Sequence, residues 1–121
     1  MKKMRKTILA LALVFSFALP LPVGAAMNGI DVSSWQSGIE VDQLQGVEFV
    51  IAKATEGTSY VNPDCDRVYW DAKNSGKKVG VYHFAGGRNA IAEAEYFVDN
   101  ISGYIGEAVL VLYFEGSAIY Q

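Results

Sequence analysis

The sequence has few of the side chains from which metal sites and disulfides are built. Its 121 residues contain one cysteine, Cys65, and one histidine, His83. One thiol cannot close a disulfide within the chain, and these two side chains cannot supply the four ligands of a structural zinc site. We therefore expect no metal and no cofactor. Cys65 could pair between chains or react, but a half-buried helix residue is the more ordinary interpretation.

Positive charge is also scarce after the first six residues. Four of the ten Lys and Arg lie in that short stretch, whereas all thirteen Asp and Glu follow residue 26, which leaves a net charge of −7 for residues 27–121. Binding to nucleic acid is therefore not expected, because the phosphate backbone must be neutralised by cations. The Gly86-Gly87 pair lacks the surrounding glycine pattern of a phosphate-binding loop.

The N-terminus has the composition of a secretory signal peptide, which we place at residues 1–26. Basic residues occupy 1–6, an uncharged apolar run fills 8–23, and small residues at 24–26 offer a cleavage site. The apolar run is shorter than the roughly 20 residues that a membrane-spanning helix needs. An uncleaved anchor is the alternative. We expect a secreted or cell-wall-associated protein without a stable membrane span after cleavage.

The remaining chain alternates apolar strands with amphipathic helices, which indicates an α/β fold with a parallel sheet. A helical turn is expected within 38–45. One helix should begin at Pro63 with Asn62 as N-cap and bury Cys65, Val68, Tyr69 and Ala72. A second helix, capped by Asn89, should pack through Ile91, Ala94, Val98 and Ile101. The predicted strands, the last of them buried, are 30–32, 47–54, 78–84 and 108–114.

Functional side chains lie at or just beyond the end of every predicted strand. Since sites in parallel α/β folds form at the carboxyl ends of strands, these side chains should meet at one rim, although solvated loop residues could produce part of the pattern. Residues 113 and 115 should point to the same face, where paired carboxylates would serve glycoside hydrolysis. The strand-end residues are Asp31, Lys53, Glu56, Tyr82, His83, Tyr113 and Glu115.

Four segments carry a resemblance to a known family. The segments 29–36, 49–57, 80–84 and 109–116 resemble, in order, motifs of the glycoside hydrolase family 25 lysozymes, the Chalaropsis-type muramidases. The resemblance implies a (β/α) barrel-like fold of parallel strands, here truncated to about the first four. Residues 27–121 would then form the N-terminal part of a lysozyme-like domain.

The same resemblance implies a secreted hydrolase that acts on peptidoglycan glycan strands. It would cleave the β-1,4 bond between N-acetylmuramic acid and N-acetylglucosamine. Glu115 matches the family's catalytic acid and Asp31 an active-site aspartate, and Tyr82 matches a residue that lines the sugar groove. The other candidate substrate contacts are Trp35, Lys53, Glu56 and His83.

Two departures from the family pattern leave an alternative open. Tyr113 stands where the family has the first carboxylate of Asp-x-Glu, and a tyrosine with a pKa of about 10 is neutral at pH 7. The chain also has about half the family's usual length. The alternative is a truncated, catalytically impaired glycan-binding protein or remnant. For His83 the alternative is a hydrogen-bonded core residue, and for Trp35 it is packing.

Overall fold

The structure is a computed structural model that describes residues 26–116. The expected signal peptide lies outside the described residues except for its last position. Within residues 26–116, no helix is long and apolar enough to cross a bilayer.

The described chain contains five strands, two α-helices and three short 3-10 turns. The strands are β1 (Gly29–Val32), β2 (Phe49–Glu56), β3 (Tyr60–Val61), β4 (Lys78–Phe84) and β5 (Val109–Tyr113). The helices are α1 (Cys65–Asn74) and α2 (Ala90–Asn100). The 3-10 turns are Ser34–Gln36, Val41–Gln43 and Ser102–Tyr104.

Four of the strands form a parallel sheet in the order β1-β2-β4-β5. The predicted α/β class and its four strands are confirmed. The sequence pattern missed β3, which pairs antiparallel with the end of β2 and, at two residues, is too short to show a period. It also placed β2 two residues early, because Thr55 and Glu56 extend the strand past a register shift instead of starting a loop.

Helix α1 covers one face of the sheet as its sequence predicts. All four residues of its expected apolar stripe are buried and pack with Val50, Ala52 and Val81 of the strands. The predicted start at Pro63 is wrong by two residues. The Asn62 side chain instead donates to the Lys53 carbonyl at 2.8 Å and accepts from the Asp64 amide at 3.1 Å.

Helix α2 and strand β5 depart most from prediction. Asn89 caps α2 as expected and Ile101 is buried, but Ile91 and Val98 are 74% and 48% exposed. The helix buries Glu93 instead. Strand β5 is also not buried, since Leu112 is 66% exposed. No element within residues 26–116 lies over this side of α2 and β5, so the apolar pattern has nothing to pack against there.

Candidate active site at the strand ends

The register of the parallel strands decides which side chains share a face. Lys53 of β2 is aligned with Tyr82 of β4, and the next aligned pair along these strands is Thr55 with His83. Tyr82 and His83 are consecutive on β4, so they point to opposite faces of the sheet. Lys53 and Thr55 are two residues apart on β2, but the register shift between them places them on opposite faces as well. The first face carries the candidate site, and the second faces the helices.

Asp31, Tyr82 and Tyr113 form one cluster on the site face. The Tyr82 ring is 6% exposed and packs against the Tyr113 ring, with centroids 4.6 Å apart and planes at 53°. Burial, followed by the charge of Asp31, raises the pKa of Tyr82 to about 12. Burial and then the Asp31 carboxylate also raise the pKa of Tyr113. Both tyrosines therefore keep their protons at neutral pH.

The influence of Asp31 extends across the four parallel strands. Neighbouring strands lie about 4.8 Å apart, so a flat sheet would separate β1 from β5 by roughly 14 Å. Asp31 on β1 nevertheless contributes to the raised pKa of Tyr113 on β5. This agrees with a sheet that curls around the site face, as barrel-forming sheets do.

Lys53 lies beside this cluster and is neutralised by its neighbours. Its side chain is buried, and its ammonium pairs with the Glu56 carboxylate. The Lys53 Nζ also lies 4.9 Å from the centroid of the Phe84 ring and 5.3 Å from that of Tyr60. A buried ammonium is stable only with such partners. The Lys53 ammonium thereby holds the Glu56 carboxylate at the rim.

Tyr60 is a rim residue that the sequence did not reveal, because only the short strand β3 brings it there. Its hydroxyl is 2.9 Å from Ser34 Oγ, which ties β3 to the turn that follows β1. In that turn, the Ser33 side chain accepts from the Trp35 amide, and the Ser33 amide donates to Gln36 Oε1 at 2.9 Å. This capping arrangement leaves the Trp35 side chain 90% exposed, so it has no packing role within the described residues.

Glu115 and His83 occupy contrasting positions. Glu115 follows β5 by two residues and is exposed at the rim, where its charge adds to the raised pKa of Tyr113. His83 is 2% exposed and lies on the helix face, bonded to Thr55 and Glu93. The structure thus brings Asp31, Tyr82 and Tyr113 together, whereas His83 is not part of that cluster.

A polar cavity of about 540 Å³ extends the rim on the side of α2. It lies between the loop after β2 and the loop after β4. Its polar lining includes Arg88 and Asn89, which sequence reasoning did not single out for the site. The described residues contain no group of three or more His, Cys, Asp or Glu side chains placed to hold a metal ion. The cavity's wall offers hydrogen-bonding groups, and the neighbouring aromatic cluster offers apolar ring surfaces.

A parallel sheet with acidic and aromatic side chains at its strand ends defines a barrel-type α/β protein whose candidate site has the kinds of side chain that glycoside hydrolases use. The sequence model of glycosyl hydrolases family 25 matches residues 30–118. The chain belongs to this family. The match covers the four segments on which the resemblance was based, except for Gly29 at the start of the first, and it confirms that resemblance.

Individual relatives agree with the family match. The chain is 40% identical to an autolytic lysozyme of Clostridium acetobutylicum over 79 residues, which cover 64% of this chain and 24% of that protein. It is 37% identical to an N,O-diacetylmuramidase of Chalaropsis over 90 residues, which cover 69% of this chain and 43% of that protein. The chain therefore spans less than half the length of these curated relatives.

A solved structure supports the fold. The bacterial lysozyme from Streptomyces coelicolor superposes with a TM-score of 0.64 at 35% identity, covering 74% of this chain and 44% of that chain. The parallel strands and helices of this protein are thus arranged as in family 25 lysozymes.

Proposed function

We propose that this chain supplies the first strands of a peptidoglycan-cleaving hydrolase. The substrate bond would be the β-1,4 linkage between N-acetylmuramic acid and N-acetylglucosamine in glycan strands. The observation that carries the proposal is the meeting of Asp31, Tyr82 and Tyr113 on one face of the curled sheet, with Glu115 directly beyond it. Family membership supports the same reaction class.

The roles follow from the chemistry of glycoside hydrolysis. Such enzymes need a carboxylic acid that protonates the leaving oxygen and a carboxylate that stabilises the oxocarbenium-like transition state or attacks it. We assign the acid to Glu115 and the carboxylate to Asp31. Tyr82 and the exposed Trp35 would contact the sugar rings, because aromatic faces pack well on their C–H groups. Glu56, held by Lys53, would accept a sugar hydroxyl.

The role of Glu115 can be tested by substitution. We expect the Glu115→Gln variant to clear a peptidoglycan suspension at least about a hundredfold more slowly than the unaltered protein, since general acid catalysis contributes 10²–10⁴-fold. Glu95→Gln removes a carboxylate from the exposed surface of α2 and serves as the matched control. Equal clearing by the unaltered protein and the Glu115→Gln variant would rule out Glu115 as the acid.

Tyr113 favours a second candidate, a protein that binds the glycan without cutting it. Its raised pKa means that it brings no negative charge to a position where the family has a carboxylate. In this case peptidoglycan would pull down the protein from solution although no clearing occurs. The Trp35→Ala variant should then bind more weakly, whereas a protein that neither binds nor clears peptidoglycan would exclude both candidates.

The Tyr113→Asp variant tests whether the absence of a carboxylate at position 113 is the only feature that limits activity, or whether the groove is also incomplete. We expect this single change not to produce full clearing, because it adds a carboxylate but leaves the groove open beyond β5, which is the last strand of the sheet within residues 26–116. The same turbidity assay measures it. Full activity in Tyr113→Asp would show that these strands suffice and that Tyr113 alone limits the reaction.

We also propose that residues 1–26 direct export, so that the protein acts at the cell wall. The basic, apolar and small segments of that stretch support this. N-terminal sequencing of protein recovered from culture medium and cell-wall fractions should give a start near Met27. Recovery only inside the cell with Met1 intact would contradict export.

A further inference from the structure

A buried hydrogen-bonded network on the helix face joins β2, β4 and α2. His83 Nδ1 lies 2.8 Å from Thr55 Oγ1, and His83 Nε2 lies 2.8 Å from Glu93 Oε2. Thr55 is fully buried, and His83 and Glu93 are 2% and 5% exposed. Within the described residues, no buried side-chain nitrogen or oxygen lacks a hydrogen-bond partner. The network is therefore complete without solvent.

The protons of this network can be assigned from its chemistry. Burial alone would raise the pKa of Glu93, but hydrogen bonds from His83 and from two backbone amides lower it. An ionised carboxylate only accepts, so His83 Nε2 carries the proton that it donates to Glu93. In a neutral imidazole, Nδ1 then accepts from the Thr55 hydroxyl. The Nε2-protonated tautomer of His83 thus gives each side chain of the network a hydrogen-bond partner.

Glu93 extends the network to the loop after β4. Its Oε2 accepts from the Gly86 amide at 2.8 Å, and its Oε1 from the Arg88 amide at 3.4 Å. A Cβ added at Gly86 would lie 3.3 Å from Glu93 Oε1, which shows how closely the loop backbone approaches the carboxylate. One buried side chain therefore sets the path of residues 86–88.

The loop fixed in this way belongs to the candidate site. Gly86, Arg88 and Glu93 line the polar rim cavity together with Glu56 and Tyr60. In addition, His83 and Thr55 directly adjoin Tyr82 and Glu56 in the chain. Binding sites hold their geometry when a second layer of hydrogen bonds supports the residues that touch the ligand.

We propose that Thr55, His83 and Glu93 are positioning residues that hold the 86–88 loop, and with it the wall of the rim cavity, in the shape that binds a glycan strand. The ligand class rests on the proposed function. His83 then acts through Glu93 and the loop and does not touch the sugar.

The test compares Glu93→Ala with Glu93→Gln, whose amide oxygen can still accept from His83 and Gly86. Glu95→Ala, an exposed carboxylate on the same helix, is the matched control. In the unaltered protein, the ring nitrogens of the one histidine should show the Nε2-protonated tautomer by ¹⁵N NMR. Glu93→Ala should remove the slow hydrogen exchange of the Gly86 and Arg88 amides. It should also weaken binding to a peptidoglycan suspension by about tenfold, the effect of one or two lost buried hydrogen bonds.

Glu93→Gln should keep slow exchange of the Gly86 amide and bind within about threefold of the unaltered protein, as Glu95→Ala should. The Arg88 amide should exchange faster in Glu93→Gln, because the glutamine NH2 that replaces Oε1 cannot accept from it. Folded Glu93→Ala protein with unchanged amide exchange or unchanged glycan binding would overturn the proposal. If Glu93→Ala does not fold, Thr55→Val removes one hydroxyl at constant shape, and Thr55→Ser restores it. Thr55→Val should shift the Nδ1 resonance and weaken binding, with recovery in Thr55→Ser, and an unchanged resonance and affinity would overturn the proposal.

Failure of the proposed function has a different signature. An unaltered protein that binds no peptidoglycan contradicts the ligand class, and with it the glycan part of this proposal. The amide exchange and the histidine tautomer still report whether the network holds the loop, because neither measurement needs a ligand.

Discussion

Tyr113 brings a neutral hydroxyl to the rim, at a position where the family resemblance predicts a carboxylate. It lies half-buried against Tyr82 and close to Asp31, and this environment raises its pKa still further from neutrality. A carboxylate at this position would repel Asp31, whereas the tyrosine hydroxyl is compatible with it. The tyrosine therefore avoids charge repulsion with Asp31 but does not supply a second carboxylate of the kind that glycoside hydrolysis uses.

Cys65 shows how burial controls a single side chain. It is the first residue of α1 and is 5% exposed, and desolvation raises its pKa to about 11. Because only the thiolate reacts, we expect a disulfide reagent at pH 8 to modify the folded protein more than about a hundredfold more slowly than the unfolded protein, whose thiol has a pKa near 8.5. Absorbance of the released thiolate measures both rates.

The raised pKa of Cys65 also makes the stability of the protein depend on pH in a definite direction. Since the pKa is raised on folding, the unfolded chain loses its thiol proton first as the pH rises. The contribution of Cys65 to stability is thus complete below about pH 8.5 and declines as the pH approaches 11. A Cys65→Ser variant should lack this part of the loss of stability at alkaline pH. For the reactivity test, equal modification rates in native and urea-unfolded protein would show that the thiol is not buried.

At the scale of elements, α1 and α2 differ although both carry an apolar stripe. Helix α1 packs on the sheet through residues that are almost fully buried, with Val68 at 1% exposure. The matching positions of α2 include Val98, which is about half exposed. The same amphipathic pattern therefore stabilises the fold in one helix and leaves an open surface in the other.

This contrast predicts unequal effects of one substitution. Val68→Ala should lower the free energy of unfolding by about 1–3 kcal/mol, because it removes buried methyl groups and leaves a cavity. Val98→Ala, the matched exposed change, should alter it by less than about 0.5 kcal/mol. Urea unfolding followed by tryptophan fluorescence measures both, and equal destabilisation would contradict the assigned burial.

At the scale of the whole molecule, the described chain leaves an apolar surface across β5 and α2. Ile91, Val98, Leu110, Leu112 and Phe114 are all between 46% and 74% exposed. Strand β5 is also an edge of the sheet, with β4 on one side only within the described residues. An exposed apolar edge strand is a site for association between chains.

We therefore expect concentration-dependent association that Leu112→Lys reduces. Residues 27–121 carry a net charge of −7, so one added lysine lowers overall repulsion and would by itself favour association. Asn74→Lys, at the exposed end of α1, makes the same charge change away from β5. Light scattering across a concentration series compares the three proteins. Association that is unaffected by Leu112→Lys would place the contact elsewhere.

Much of the fold follows from local patterns in the sequence. The α1 stripe, the Asn89 cap and the four parallel strands are confirmed, because helix and strand periods and capping chemistry act over a few residues. The expected burial of Ile91, Val98 and β5 was wrong. An apolar pattern predicts which side of an element can pack against another element, but it does not show that such an element is present. Strand β3 is too short to show a period, and the place of Tyr60 at the rim depends on its contact with Ser34, 26 residues earlier in the chain.

The sequence by itself determined the α/β alternation, the charge and the position of four functional side chains at the ends of strands: Asp31, Tyr82, Tyr113 and Glu115. These side chains share one rim because the strands are parallel. Only the tertiary structure decided which strand-end residues share a face. Alternation along β4 turns Tyr82 toward the site and His83 toward α2, and the register shift after Lys53 places Thr55 on the same face as His83. Side chains one residue apart on a strand point to opposite faces, so that choice depends on pairing between strands.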